Sequence, residues 1–147
     1  MPAFVRHVDV EWNGNLMEGN GTAKAGTGAF SLPVTFPSRI NETGDNKTTP
    51  EELLAGAHAI CFAMVVANTI GKQGGKARRV SVTATVTAER SDAGLKVVSS
   101  KLKAKVEGLE GIDKGGIQAL AESAEKGCPI SNAIRNNVQV SVDASAV

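Results

Sequence analysis

The chemistry open to this chain of 147 residues centres on sulfur, because it carries two cysteines, Cys61 and Cys128, and only two histidines. A thiolate attacks peroxides, disulfides and activated carbonyls, whereas a thiol buried among apolar groups is inert and packs as a small hydrophobe. Taken alone, Cys61 has the second character, since no side chain from Leu53 to Ala67 is charged. Cys128 changes the weighting. It stands between Gly127, a helix stop, and Pro129, a favoured first helical residue, where backbone N–H groups and the helix dipole lower a thiol pKa. A second thiol in so open a setting has the character of a resolving cysteine; the competing view is a Gly-Cys-Pro turn whose thiol is incidental. His58, one turn before Cys61, invites a Cys-His dyad or a zinc pair, but two ligands do not make a zinc site and His7 is the only other histidine. A core or interface histidine is the expectation there.

The element that must carry Cys61 is a helix. Thr49 can cap it, Pro50 suits its first position, Glu52 can complete a capping box, and Glu51 and Glu52 lie where the dipole favours negative charge. Apolar residues on nearly all faces predict a helix buried all round, too short to cross a bilayer, that ends at Gly71 and Gly74-Gly75. Ahead of it, Val8, Val10 and Trp12 alternate as a strand does. The turns at residues 13–15 and 19–21 predict a meander of short strands reaching Phe36, closed by Pro37 to Arg39 and followed by a polar loop over residues 41–47. Behind it, residues 80–88 and 95–106 alternate apolar with Ser, Thr or Lys and predict an antiparallel hairpin turning at residues 91–94. Helices are expected over residues 117–126 and from Pro129 to about Arg135, and a last strand over residues 138–144. This order predicts an α+β fold in a single domain, 1–147, without repeats or linkers.

Composition narrows the function classes. With 16 basic and 15 acidic residues the formal charge is +1, which gives no electrostatic case for a nucleic acid or an anionic membrane as partner. Aromatic content of 3 %, without tyrosine, argues against stacking on bases or sugars. The N-terminal residues lack the apolar stretch of a secretory signal, so the cytoplasm is the expected compartment, and thiols kept there are more often chemical than structural.

The stretch over residues 49–64, TPEELLAGAHAICFAM, and Gly127-Cys-Pro-Ile-Ser131 together closely resemble the two cysteine signatures of the OsmC/Ohr family, the osmotically inducible protein C and organic hydroperoxide resistance proteins. Trp12-Asn-Gly14 and Ser38-Arg39 resemble the OsmC branch, in which the arginine comes from this later position. The resemblance covers the whole chain. It implies an OsmC-like α+β fold, antiparallel sheets on a long buried central helix, in an intertwined homodimer. It also implies thiol peroxidase activity on organic hydroperoxides for stress defence, with an external dithiol such as a lipoylated or thioredoxin-like protein as reductant, and no metal, flavin or haem.

Within that frame Cys61 is the peroxidatic residue and Cys128 the resolving one. Burial raises the pKa of Cys61, so a cation must compensate. Arg39 is the candidate, able to hold the thiolate and donate to the departing alkoxide, with Glu51 aiming its guanidinium through a bidentate pair. Glu51 and Cys61 are ten residues apart, about 15 Å along a helix, so Arg39 and Glu51 are expected to serve the Cys61 of a partner subunit. Phe36, Phe62 and Met64 are expected to line the pocket. Two readings of other classes compete: a non-enzymatic dimer that binds an apolar small molecule, and a redox sensor whose disulfide alters a partner's binding.

Overall fold

Turn chemistry shapes the N-terminal part of the protein. In the computed structural model, which describes all residues from Met1 to Val147, the chain forms two compact units, Met1–Pro50 and Glu51–Val147. In the first, strands β1 (Val8–Asn13), β2 (Asn20–Ala25) and β3 (Ser31–Val34) form the expected antiparallel meander. Asn15 builds the first turn: its side-chain oxygen accepts the Glu18 N–H at 2.8 Å, and its carbonyl accepts the Gly19 N–H at 2.9 Å and the Trp12 indole at 3.2 Å. The register sets Val8, Val10 and Trp12 opposite Ala25, Ala23 and Gly21, so the apolar residues of the sheet share one face.

Where the sequence predicts a closing turn at Pro37 to Arg39, the chain instead forms a short helix, α1 (Phe36–Ile40). Thr35 caps it, its hydroxyl oxygen accepting the Ser38 N–H at 3.2 Å, and Pro37 falls in its first turn, where a missing N–H costs nothing. The polar loop that follows holds Asp45 and Asn46 at φ of 51° and 57°, uncommon for residues with a Cβ. The Asp45 carboxylate secures it, accepting from Asn41 at 2.7 Å and Thr43 at 3.1 Å, and these bonds, the Asn41 bond first, lower its pKa.

The second unit is built on α2 (Pro50–Lys72), which starts at the proline and ends where Gly74 turns to φ 81° and the Gly75 N–H reaches back to Ile70 O at 2.9 Å. At 23 residues α2 is longer than its charge-free stretch suggests, and by length and composition alone it could cross a membrane. Length therefore does not argue against a span; what the helix does here is pack His58, Phe62, Val66 and Ile70, four residues apart on one stripe, into the core of this unit. Burial all round is not observed. Leu53, Ile60 and Met64 share another stripe and stand open in this chain, Ile60 60 % and Met64 67 % exposed.

Strands β4 (Arg79–Ser91) and β5 (Gly94–Glu107) pair antiparallel with Ser91 opposite Gly94, as the alternation predicts, with one irregularity between Thr87 and Ala88. Helices α3 (Ile117–Lys126) and α4 (Pro129–Ile134) then carry the chain back to β6 (Gln139–Ala146), which pairs with β5 in parallel. This sheet is therefore mixed rather than wholly antiparallel, because a helical crossover returns the strand in the same direction. Leu102, Ala104 and Val106 of β5 and Ile117, Leu120, Ala121 and Ala124 of α3 close the core around the buried stripe of α2, while Lys101, Lys103 and Lys105 face water. The fold class is α+β, as expected.

Candidate active site

Cys61 and Cys128 meet inside the second unit. Cys61 lies at the start of the fourth turn of α2, half-buried, and Cys128 is the residue just ahead of α4, where its extended backbone (φ −80°, ψ 115°) breaks the chain between α3 and α4. Gly127 and Pro129 set that break, as their types predict. The Cys61 sulfur accepts the backbone N–H of Ile130, in the first turn of α4, and hydrogen-bonds the Cys128 thiol. Both cysteines are reduced.

Burial is opposite to the sequence expectation. Cys128, expected in an open turn, is 0 % exposed and belongs to the core, whereas Cys61 is the thiol with a face toward solvent. The cause is tertiary: Cys128 packs in the core cluster with residues of α2, β5 and α3, and α4 is tied back to α3. Arg135, at the end of α4, binds Glu125 of α3 twice, with Nη1 donating to Oε2 at 3.2 Å and Nη2 lying 3.0 Å from Oε1 without hydrogen-bond alignment. Desolvation pushes the Cys61 pKa above the ordinary thiol value; the Ile130 N–H works against that, and the neighbouring Cys128 adds to it. Within this chain the balance of these effects disfavours the Cys61 thiolate.

His58 is likewise sealed, 0 % exposed, and both ring nitrogens are taken: Nδ1 lies 2.6 Å from the Ser100 hydroxyl of β5, and Nε2 lies 2.6 Å from the Ser131 hydroxyl of α4. Neither nitrogen is left for a metal. Burial lowers its pKa, and Glu125 partly opposes that shift. The neutral ring has one donor and one acceptor, so one serine accepts from it and the other donates to it. This bridge was readable only in part. Ser100 shares the inward parity of Leu102, Ala104 and Val106, and a polar residue on an apolar parity calls for a buried partner, but nothing local to residues 128–134 marks Ser131.

The remaining expected residues divide between the two units. Glu51 stands in the first turn of α2, ten continuous helical residues before Cys61 and about 15 Å from it by helical rise. Arg39 lies in the last turn of α1, in the first unit, with Phe36 opening the same helix. Phe62 is fully buried core rather than pocket lining, because it points along the packed stripe of α2, and Met64 is exposed.

The family profile of OsmC-like proteins matches residues 43–143, well over half of the chain. Among characterised relatives, the chain is 31 % identical over 128 residues to peroxiredoxin OsmC of Escherichia coli, covering 86 % of this chain and 87 % of that protein. It is 32 % identical over 126 residues to the organic hydroperoxide resistance protein of Xanthomonas axonopodis pv. citri, covering 83 % and 84 %. Among solved structures, an organic hydroperoxide resistance protein OsmC from Legionella pneumophila superposes with a TM-score of 0.77 at 26 % identity over 99 % of both chains. One from Elizabethkingia anophelis gives 0.77 at 25 % identity over 99 % of this chain and 100 % of that one. On sequence profile, relatives matched over most of their length and fold alike, the chain belongs to the OsmC-like protein family.

Proposed function

We propose that this protein is a cysteine-based peroxidase that reduces organic hydroperoxides to alcohols, working in the reducing cytoplasm as a homodimer. The observation that carries the reading is the direct contact between a half-exposed thiol, Cys61, and a sealed one, Cys128, in a chain of this family. Relatives bearing the names peroxiredoxin and organic hydroperoxide resistance protein support the substrate class. In the first step the Cys61 thiolate attacks one oxygen of ROOH, the O–O bond breaks, and ROH leaves after taking a proton, with Cys61 oxidised to the sulfenic acid. In the second, the Cys128 sulfur displaces the sulfenic oxygen as water and the disulfide forms. An external dithiol, of the lipoylated or thioredoxin type, then reduces that disulfide through a mixed disulfide and is itself oxidised.

Since burial in the second unit disfavours the Cys61 thiolate, the first step calls for a cation, and Arg39 takes that role in this reading, oriented by Glu51. The continuous helix between Glu51 and Cys61 supports assigning both to the partner's site. The open stripe of Leu53, Ile60 and Met64 supports a second copy packing on α2. An apolar surround favours alkyl over hydrogen peroxide, which has no apolar portion to bury. Stopped-flow consumption of an alkyl hydroperoxide and of hydrogen peroxide, with a dithiol supplied, tests the proposal. Wild type should consume the alkyl substrate faster and Cys61→Ser should consume neither; equal rates on both peroxides would remove the organic-substrate claim, and an active Cys61→Ser would remove the enzyme.

A further inference from the structure

The dithiol contact depends on where α4 sits, and α4 is held from two sides. Arg135 ties its end to Glu125 of α3, while Ser131, in its first turn, meets the His58 ring of α2 at 2.6 Å. His58 and Cys61 are one helical turn apart on α2, and Cys128 and Ser131 are likewise three residues apart at the start of α4. The two helices thus touch at adjacent points, one a thiol pair and the other a buried imidazole-hydroxyl bond. Ser100 of β5 meets the other ring nitrogen at 2.6 Å, a buried bond of the same kind made to the sheet rather than to α4.

We infer that His58 is a positioning residue for disulfide closure: from α2 it holds Ser131 and with it the first turn of α4, so that the Cys128 sulfur faces Cys61. A disulfide tolerates little error, with sulfurs about 2.05 Å apart and Cα atoms within about 4.4–6.8 Å. A small drift of α4 therefore lowers the effective concentration of one thiol toward the other. The bond rearrangement is ordinary exchange: Cys61 and Cys128 lose two protons and two electrons to an oxidised glutathione, which leaves as two reduced thiols.

This inference rests on the proposed thiol chemistry, but its test uses no peroxide. Reduced protein is equilibrated in mixtures of reduced and oxidised glutathione, the fraction of Cys61–Cys128 disulfide is read by mass after acid quench, and melting temperatures are recorded alongside. Ser131→Ala should lower the effective concentration at least about tenfold, as losing one buried hydrogen bond allows, while Ser100→Ala, which also loses one such bond, should stay within about twofold of wild type. Equal shifts in both variants, or none in Ser131→Ala, would overturn the inference, because a merely structural bridge lowers the melting temperature without separating them. Should Ser131→Ala not fold, His58→Gln and His58→Leu decide: the amide of Gln can still reach Ser131 and should retain closure that Leu loses, and equal closure in the two overturns the inference. A wild type that closes its disulfide in glutathione yet ignores hydroperoxides would sink the peroxidase reading and leave this one standing.

Discussion

Replacing His58 by Leu tests the buried bridge by its energy. The side chains are of similar size, so the main loss is two hydrogen bonds, and the Ser100 and Ser131 hydroxyls, both 0 % exposed, are left without the ring. An unpartnered buried hydroxyl costs about 1–3 kcal/mol, giving about 2–6 kcal/mol for two. Burying Leu in place of imidazole returns part of this, so a net loss of about 2–4 kcal/mol is expected. Urea unfolding at fixed protein concentration reads it. The triple variant His58→Leu, Ser100→Ala, Ser131→Ala should be more stable than His58→Leu alone, since no polar group is then stranded. pH provides a second arm. Burial holds the folded pKa of His58 below the ordinary value of about 6.5, so as pH falls the unfolded chain takes up a proton the native ring refuses. The stability that this refusal represents is complete above about pH 6.5 and is lost as pH falls toward the folded pKa. His58→Leu should lack that part of the acid slope. A loss under about 1 kcal/mol, or an unchanged slope, would refute the account.

Other variants probe the thiols and their surroundings. Cys128→Ser should reduce one equivalent of alkyl hydroperoxide and then stall, with Cys61 driven on to sulfinic acid under excess peroxide; sustained turnover would remove the resolving role. Arg39→Met should slow the peroxide step roughly 10–100-fold, as losing a charge-assisted hydrogen bond implies, and move the pH-rate profile of Cys61 upward; an unchanged profile would clear Arg39 of that role. Met64→Glu, on the open stripe of α2, should weaken self-association in sedimentation without changing the far-ultraviolet spectrum, whereas an unaltered dimer would place the interface elsewhere. In Cys61→Ser, Cys128 should ignore a disulfide reagent such as dithionitrobenzoate until denaturant is added, and fast native labelling would contradict its burial.

Much of the frame was legible because it rests on local rules. Pro50 and Gly74 bound α2, the period-two alternation places β4 and β5 on their correct faces, and Gly127-Cys-Pro129 marks the break between α3 and α4. What escaped depends on surfaces distant in sequence. A helix apolar on most faces carries no record of which stripe its own chain covers, so the openness of Ile60 and Met64 could not be read from their types. Cys128 sits in a turn that reads as open, and the Glu125–Arg135 pair that helps close the protein over it joins two helices whose charges look like solvated ends. The direction of β6 was hidden for a similar reason: strand periodicity is the same in parallel and antiparallel pairs, and only the crossover decides.

Burial gives the thiol pair a direction. Cys128 is sealed in the core and Cys61 keeps a face toward solvent, so anything arriving from outside meets Cys61 first. In the proposed cycle, peroxide therefore oxidises Cys61, and when the disulfide is later reduced the dithiol attacks that same sulfur with Cys128 as the leaving thiol, because exchange proceeds at the accessible sulfur. The arrangement explains how a raised pKa at Cys61 can coexist with reactivity. In that proposed cycle, a thiol whose ionisation burial disfavours reacts slowly with stray oxidants until a cation lowers its pKa, the role proposed for Arg39. His58 is a poor source of that charge: burial disfavours its protonated form, and both ring nitrogens are engaged, by Ser100 and Ser131.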